Sequence, residues 1–161
     1  MSKIDIATSQ DLKQINDLIS AHNSERPIYF EPANFEMYDF GQTEKRIIFV
    51  ARGEDSIIGY LSLHCENSFQ NDLDIAGFEI LVHPHYRRNG EFQSGETGSA
   101  GIKSTATDLV NKAINYLEKN TKINRLELLV KKENVRAKKL FVRLGFCVSE
   151  LCRGYTMNIN H

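Results

Sequence analysis

The period of the hydrophobic pattern changes several times along the chain. Lys3–Ala7 reads as a short first strand. Thr8 or Ser9 then caps a helix that carries Leu12, Ile15, Leu18 and Ile19 on one face. Residues 23–45 are irregular, broken by Pro27 and Pro32. Ile47–Arg52 and Ile57–His64 form two strands joined by a turn at Gly53–Ser56, an antiparallel hairpin. Leu73–Val82 is a further strand, and residues 84–100 are loop. A helical stripe follows: Ile102, Ala106, Leu109, Val110, Ala113 and Leu117. Arg125–Val130 is a strand, and Asn134 to Leu144 a helix stopped by Gly145. Cys147–Leu151 and Tyr155–Ile159 close the chain as strands. This alternation predicts one mixed α/β domain over residues 1–161.

Composition narrows the function classes. A chain of 161 residues with 41% hydrophobic and 25% charged residues suits a single globular core. The net charge of −1 supplies no field to recruit nucleic acid or an anionic membrane. Basic residues are nevertheless uneven, with Lys131, Lys132, Arg136, Lys138, Lys139 and Arg143 crowding one segment. That crowd is either a solvated helix face or a surface that steers an anionic ligand. Cys65, Cys147 and Cys152 are odd in number and have no CxxC spacing, which fits a reducing, cytoplasmic setting and no zinc site. Met1 leads directly into polar sequence, and no apolar run approaches membrane-spanning length. Nothing in the pattern excludes a homodimer.

The chemistry concentrates in two segments. In the first, the strand Gly77–Val82 runs into VHPHYRRNG at residues 82–90. A strand that ends in a basic, glycine-containing turn before a helix suits a phosphate, because helix-start N–H groups, the helix dipole and arginine donors all favour an anion. The second is ENVRAKKLFVRLGF at residues 133–146. Together they resemble the two signature motifs of the GNAT superfamily, the acetyl-CoA-dependent N-acetyltransferases. Val82, Pro84, Tyr86, Arg87 and Gly90 match the first motif; Asn134, Ala137, Leu140, Leu144, Gly145 and Phe146 match the second. The resemblance implies the GNAT fold: a central mixed, mostly antiparallel sheet of about six to seven strands flanked by about four helices.

It also implies roles. The main chain of Leu81 and Val82 would pair with the pantetheine arm. Arg87, Arg88, Asn89 and Gly90 would cradle the pyrophosphate, Asn134 would bond the pantetheine region, and Phe141 stands where the family has a tyrosine beside the sulfur. The pattern departs after Gly90, where EFQSGETGSA, rich in Gly and Ser, precedes Gly101-Ile102-Lys103. That is about ten residues more than a short strand-to-helix connection needs, and its composition reads as a mobile loop. Lys103 replaces an expected small residue but can contribute a phosphate-binding charge.

Acetyl transfer to an amine needs a base, and Glu79 is the candidate, alternating with Ile80 on the cofactor strand. Its competing role is a carboxylate paired with a lysine or arginine. His83 and His85, with no third ligand, read as turn residues rather than a metal site. Asp72 and Asp74 read as an exposed strand start. The acceptor amine is expected against residues 23–45, where Tyr29, Phe30, Phe35 and Tyr38 stand among Glu31, Glu36, Asp39 and Glu44. The same aromatics could equally be core. The expected activity is transfer of acetyl from acetyl-CoA to a primary amine of a small molecule, peptide or protein, without a metal. Its rival is a catalytically weak acyl-CoA-binding domain, favoured by Lys103, Phe141 and the insert.

Overall fold

The computed structural model describes residues 3–27, 30–40, 43–86, 104–149 and 154–161. Seven strands and three α-helices occur among them. In chain order they are β1 (Lys3–Ile6), α1 (Leu12–Ser24), β2 (Arg46–Arg52), β3 (Ile57–Cys65), β4 (Ala76–Val82), α2 (Thr105–Asn120), β5 (Arg125–Leu128), α3 (Val135–Arg143), β6 (Cys147–Ser149) and β7 (Gly154–Asn158). The remaining helical turns, at Ser9–Asp11, Met37–Asp39 and Pro84–Tyr86, are single 3-10 turns. The described helices therefore number three where about four were expected.

One sheet in the order β1-β2-β3-β4-β5-β7-β6 carries everything. It is antiparallel except at β4–β5, where two residue pairs, Ala76↔Leu126 and Gly77↔Glu127, run parallel. Successive strand residues point to opposite faces, and the two faces build separate cores. On one face Ile48, Val50, Ile57, Tyr60 and Leu81 pack with Ile15, Leu18 and Ile19 of α1. On the other, Phe49, Leu61, Leu63, Phe78 and Val82 cluster with Leu109, Val110, Ala113 and Leu117 of α2 and with Phe141 of α3. Of the apolar stripes read in the sequence, Ile15, Leu18 and Ile19 of α1 and Leu109, Val110, Ala113 and Leu117 of α2 are buried, and Ile102 lies outside the described residues.

The ends of the elements follow local chemistry. Ser104 caps α2, its hydroxyl accepting from the Thr107 N–H at 3.1 Å. Asn134 does the same for α3, its Oδ1 accepting from the Ala137 N–H at 3.2 Å. Gly145 ends α3 at φ 101°, a conformation that side chains resist, and the Phe146 N–H returns to the Phe141 carbonyl at 2.9 Å.

One expected boundary is corrected. The strand begins at Ala76 rather than Leu73, and Asp74 is buried, not an exposed strand start. Its carboxylate accepts from the Asn67 and Ser68 backbone N–H groups at 2.7 and 2.9 Å and from the Asn67 amide at 2.9 Å. Residues before Ala76 therefore close a turn with Asn67 and Ser68 instead of extending the ladder.

An ion cluster ties β1, β2 and the approach to α1 together. Arg52 donates to both oxygens of Asp11, at 2.8 and 2.9 Å, and to Asp5 at 2.9 Å. The Asp11 carboxylate also accepts from the Thr8 N–H at 2.9 Å. The Arg52 hydrogen bond leads the causes that hold the Asp11 pKa below its ordinary value. Asp11→Ala should cost about 1–3 kcal/mol in chemical denaturation, the range for a charged hydrogen-bonded pair with a partly exposed arginine. Because the folded-state pKa is depressed, this contribution is present above the ordinary aspartate pKa and fades as pH falls through the folded value. The gap between wild type and variant should therefore close on acidification below pH of about 4.

Candidate functional site

β4 pairs with β3 over its whole length but with β5 only at Ala76 and Gly77. From Phe78 onward, its β5-side edge looks into a cleft of about 960 Å³. Ile80, Leu81 and Val82 line one wall. The starts of α2 and α3 supply Ser104, Ala106, Asn134 and Ala137, and the far side adds Phe30 and Tyr86. The volume lies at the upper end of the range for ligand sites. Two capped helix N-termini reach the same cleft and make it favourable to anions. Arg136, Lys139 and Arg143, three and then four residues apart on α3, bring cations to the wall. Part of the basic crowd is thus a cleft face.

The structure brings Leu81, Val82 and Asn134 together at this cleft, as far as their positions are concerned. Phe141 is placed differently. Its ring is 3% exposed and packs edge-on against Phe78 at 5.8 Å and Phe146 at 5.6 Å. It is therefore a core residue, because an apolar ring gains most by leaving water, and it does not line the cleft. Arg87, Arg88, Asn89, Gly90, Gly101, Ile102, Lys103 and the 91–100 insert lie outside the described residues. His83 and His85 stack with ring centroids 5.1 Å apart, and His83 Nδ1 accepts from the His85 N–H at 3.2 Å.

Glu79 sits one residue before the cleft-lining stretch and on the opposite face from Ile80, toward α1. Strand register sets its neighbours: Glu79 faces Ser62 across the β3–β4 ladder, and His64 pairs with Gly77 and with Arg46. Arg46, Ser62, His64 and Glu79 thus form a polar row beside the apolar rung of Val50, Tyr60 and Leu81. The Tyr60 hydroxyl donates to Glu79 Oε1 at 3.2 Å. Burial raises the Glu79 pKa, opposed by the Tyr60 hydrogen bond and the Arg46 charge and assisted by Asp39. Burial, then the Glu79 charge, pushes the Tyr60 phenol far above its ordinary value, so it stays protonated and remains a donor. Desolvation, then the Arg46 cation, lowers the His64 pKa and keeps that imidazole neutral near neutral pH.

Residues 23–45 divide between the two roles open to them. Phe35 is buried, edge-on to Tyr60 at 5.3 Å, and pinned by Asn16, whose amide donates to the Phe35 carbonyl at 2.9 Å and accepts from its N–H at 2.8 Å. Tyr38 is 78% exposed and, with Asp39, Glu44 and Arg46, lines an open hollow of about 420 Å³. Phe30 lines the large cleft, its carbonyl 2.8 Å from His22 Nε2. Sequence reading missed Arg46, Tyr60, Ser62 and His64. The signal was present in part: Tyr60, Ser62 and His64 are the polar members at every second position of an apolar strand.

No family model matches the chain, and no curated protein sequence matches it. Solved structures do. An acetyltransferase of the GNAT family from Streptococcus pneumoniae superposes with a TM-score of 0.74 at 16% identity, covering 99% of this chain and 100% of that one. Spermidine N-acetyltransferase from Vibrio cholerae, in complex with CoA and spermine, gives 0.67 at 18% identity over 98% and 95%. Arabidopsis thaliana NAA60, in complex with acetyl-CoA, gives 0.67 at 14% identity over 100% of both chains. At these identities the likeness is one of fold.

Two measurements check the site's construction. In a carboxyl-carbon NMR titration, Glu79 should titrate above its ordinary 4.5, and Tyr60→Phe should raise it further, because the lost hydrogen bond favoured the charged form. A downward move would show that Tyr60 does not stabilise the carboxylate. Phe141→Tyr should cost about 1–3 kcal/mol by denaturant unfolding, since its hydroxyl would enter a ring cluster that offers it no partner. Equal stability would place that ring edge in contact with the cleft.

Proposed function

The chain has the GNAT fold, and on that premise we propose that it transfers an acetyl group from acetyl-CoA to a primary amine. The observation that carries the reading is the parting of β4 from β5 beside two helix N-termini. A long anionic ligand with an amide-bearing arm suits that cleft. Strand-edge groups of Ile80 to Val82 would pair with the arm as a neighbouring strand does. The helix starts with Arg136, Lys139 and Arg143 would meet phosphate charge. The pyrophosphate is assigned to the turn Arg87, Arg88, Asn89 and Gly90, with Gly101, Ile102 and Lys103 opening the following segment. Asn134 spends Oδ1 on its own helix cap, so its amide N–H groups are the part assigned to the pantetheine.

Glu79 is assigned as the base. An amine arrives mostly as an ammonium at neutral pH, and its proton passes to the Glu79 carboxylate. The nitrogen lone pair then forms the C–N bond at the thioester carbonyl carbon. Collapse of the tetrahedral adduct breaks the C–S bond, and the electron pair leaves with sulfur. The nitrogen loses its second proton to solvent water, the thiolate takes one from solvent, and Glu79 returns its own proton to solvent before the next turnover. A thiol with a pKa of about 8.5 is a tolerable leaving group without an acid at position 141. A carboxyl whose pKa is raised by burial is a better proton acceptor for this task than an ordinary glutamate.

Thermal-shift titration with acetyl-CoA, followed by free-thiol release over an amine panel, tests the reading. Ligand at about 100 times its Kd should stabilise the fold by about 2.7 kcal/mol. Arg136→Ala with Lys139→Ala and Arg143→Ala should weaken binding about tenfold or more. Glu79→Gln should lower turnover about 100-fold while sparing acetyl-CoA affinity, and the deficit should shrink as pH nears the amine's own pKa. The core position of Phe141 favours the second reading, an acyl-CoA-binding domain of little activity. A thermal shift without thiol release from any amine would select it, and no shift at all would remove both.

A further inference from the structure

Arg46 stands at the start of β2, half-buried, in the polar row with Ser62, His64 and Glu79. Its guanidinium is held but underused. The carbon at its centre lies 5.7 Å from the centroid of the buried Phe35 ring, which restricts its plane. Among the described residues its side chain makes one long hydrogen bond, Nη1 to Ser62 Oγ at 3.4 Å. No ion pair joins it to a described carboxylate, although Glu79 is near enough to feel its charge. A guanidinium carries five donors in a fork that fits a carboxylate, and the described residues take up one of them. It also borders the open hollow with Asp39, which gives a ligand access.

Opposite Ser62 stands Glu79, with Oε1 held by Tyr60. A cation on β2 and a carboxylate on β4 therefore stand on one sheet face on either side of β3, and no ion pair joins them. Gly77 keeps the floor of the row low: a Cβ there would sit 2.9 Å from His64 Nε2. The charge pattern is the complement of a zwitterion.

We infer that the acceptor is a free α-amino acid, its carboxylate on the Arg46 guanidinium and its amine at Glu79. The inference deepens the acetyltransfer reading of this site and rests on it. A simple amine or a polyamine brings no carboxylate to Arg46, and its cations would go to Glu79 or to Asp39 and Glu44 at the hollow. A zwitterion satisfies both poles of the row. Orientation follows, since a ligand anchored by its carboxylate offers its amine at a fixed distance from the base. Arg46 thus acts as a specificity residue, and Ser62 and Phe35 position it.

Calorimetry on the full chain saturated with CoA, using each of the twenty common amino acids and its α-carboxamide, tests this directly. The two members of each pair differ only at the group Arg46 would read. At least one acid should bind about tenfold or more tightly than its carboxamide. Arg46→Gln removes the guanidinium but keeps a polar side chain and should reduce that ratio to about one, whereas Arg46→Lys should restore part of it. A structural role for Arg46 would lower both members of a pair and leave the ratio alone. The inference is overturned if no acid outbinds its carboxamide, if the ratio survives in Arg46→Gln, or if putrescine or spermidine binds better than every acid. Thiol release from acetyl-CoA is read separately with the same ligands. Carboxylate-dependent binding without release defeats the acetyltransfer reading alone, and release that ignores the carboxylate defeats the amino-acid inference alone.

Discussion

Everything in this protein's site depends on one break in hydrogen bonding, the separation of β4 from β5 after Gly77. A sheet interior normally satisfies each strand on both edges, because buried backbone groups without partners are costly. Here β4 keeps β3 along its full length and gives up β5 after two pairs. Among the described residues a cleft lies along Ile80, Leu81 and Val82 of that strand. Phe78, Phe141 and Phe146 pack against one another just past the last ladder pair. That aromatic plug joins β4 to α3 while the strands diverge. The break thus yields a cleft with a strand edge on one side and helix starts on the others, and strand-edge backbone is what an extended amide-containing ligand can use.

The same strand also separates two chemistries by parity. Phe78, Ile80 and Val82 turn toward the α2 and α3 side, and Gly77, Glu79 and Leu81 toward α1. On the α2 and α3 side the helices cover an apolar cluster. On the α1 side, the helix covers the rows of Val50, Tyr60 and Leu81, and the next two rows are left to Arg46, Ser62, His64 and Glu79. Phe35 lids that boundary, and the reciprocal bonds from Asn16 fix it there. The segment around Phe35 is thereby tied to α1, where it can shape a binding surface.

Much of this was legible in the sequence, for reasons that differ by residue. The amphipathic stripes of α1 and α2 are local, so periodicity alone located Ile15, Leu18, Leu109 and Val110. Asn134 and Gly145 bracket α3 by chemistry that acts within one turn. Glu79 could be placed on the strand and assigned to one face by counting. What counting could not supply was register across strands. Nothing local says that Ser62 stands opposite Glu79 or that Arg46 stands opposite His64, since those pairs are set by the β2–β3 and β3–β4 ladders. The surroundings of Phe141 are hidden for a related reason. A motif position gives a residue's place on a helix, whereas its partner is decided by the packing of Phe78 and Phe146 around it. Asp74 was read as exposed because an aspartate usually is. Its three donors come from a turn whose closure the sequence does not announce.

The register of β3 and β4 is therefore the constraint under which any chemistry here must operate. The ladder runs without a shift through seven pairs, from Gly59↔Val82 to Cys65↔Ala76. A slip of one residue would exchange the faces, turning Glu79 toward the helices of the apolar cluster and Ile80 toward Tyr60. Both changes are costly, the first because a carboxylate would lose its donor and enter a core. The site is thus protected by the cores on either side of it. The burial of Leu61, Leu63, Phe78 and Val82 on one face, and of Tyr60 and Leu81 on the other, fixes where Glu79 can be. The hydrogen bond from Tyr60 then chooses which of its oxygens remains open toward the row that Arg46 ends.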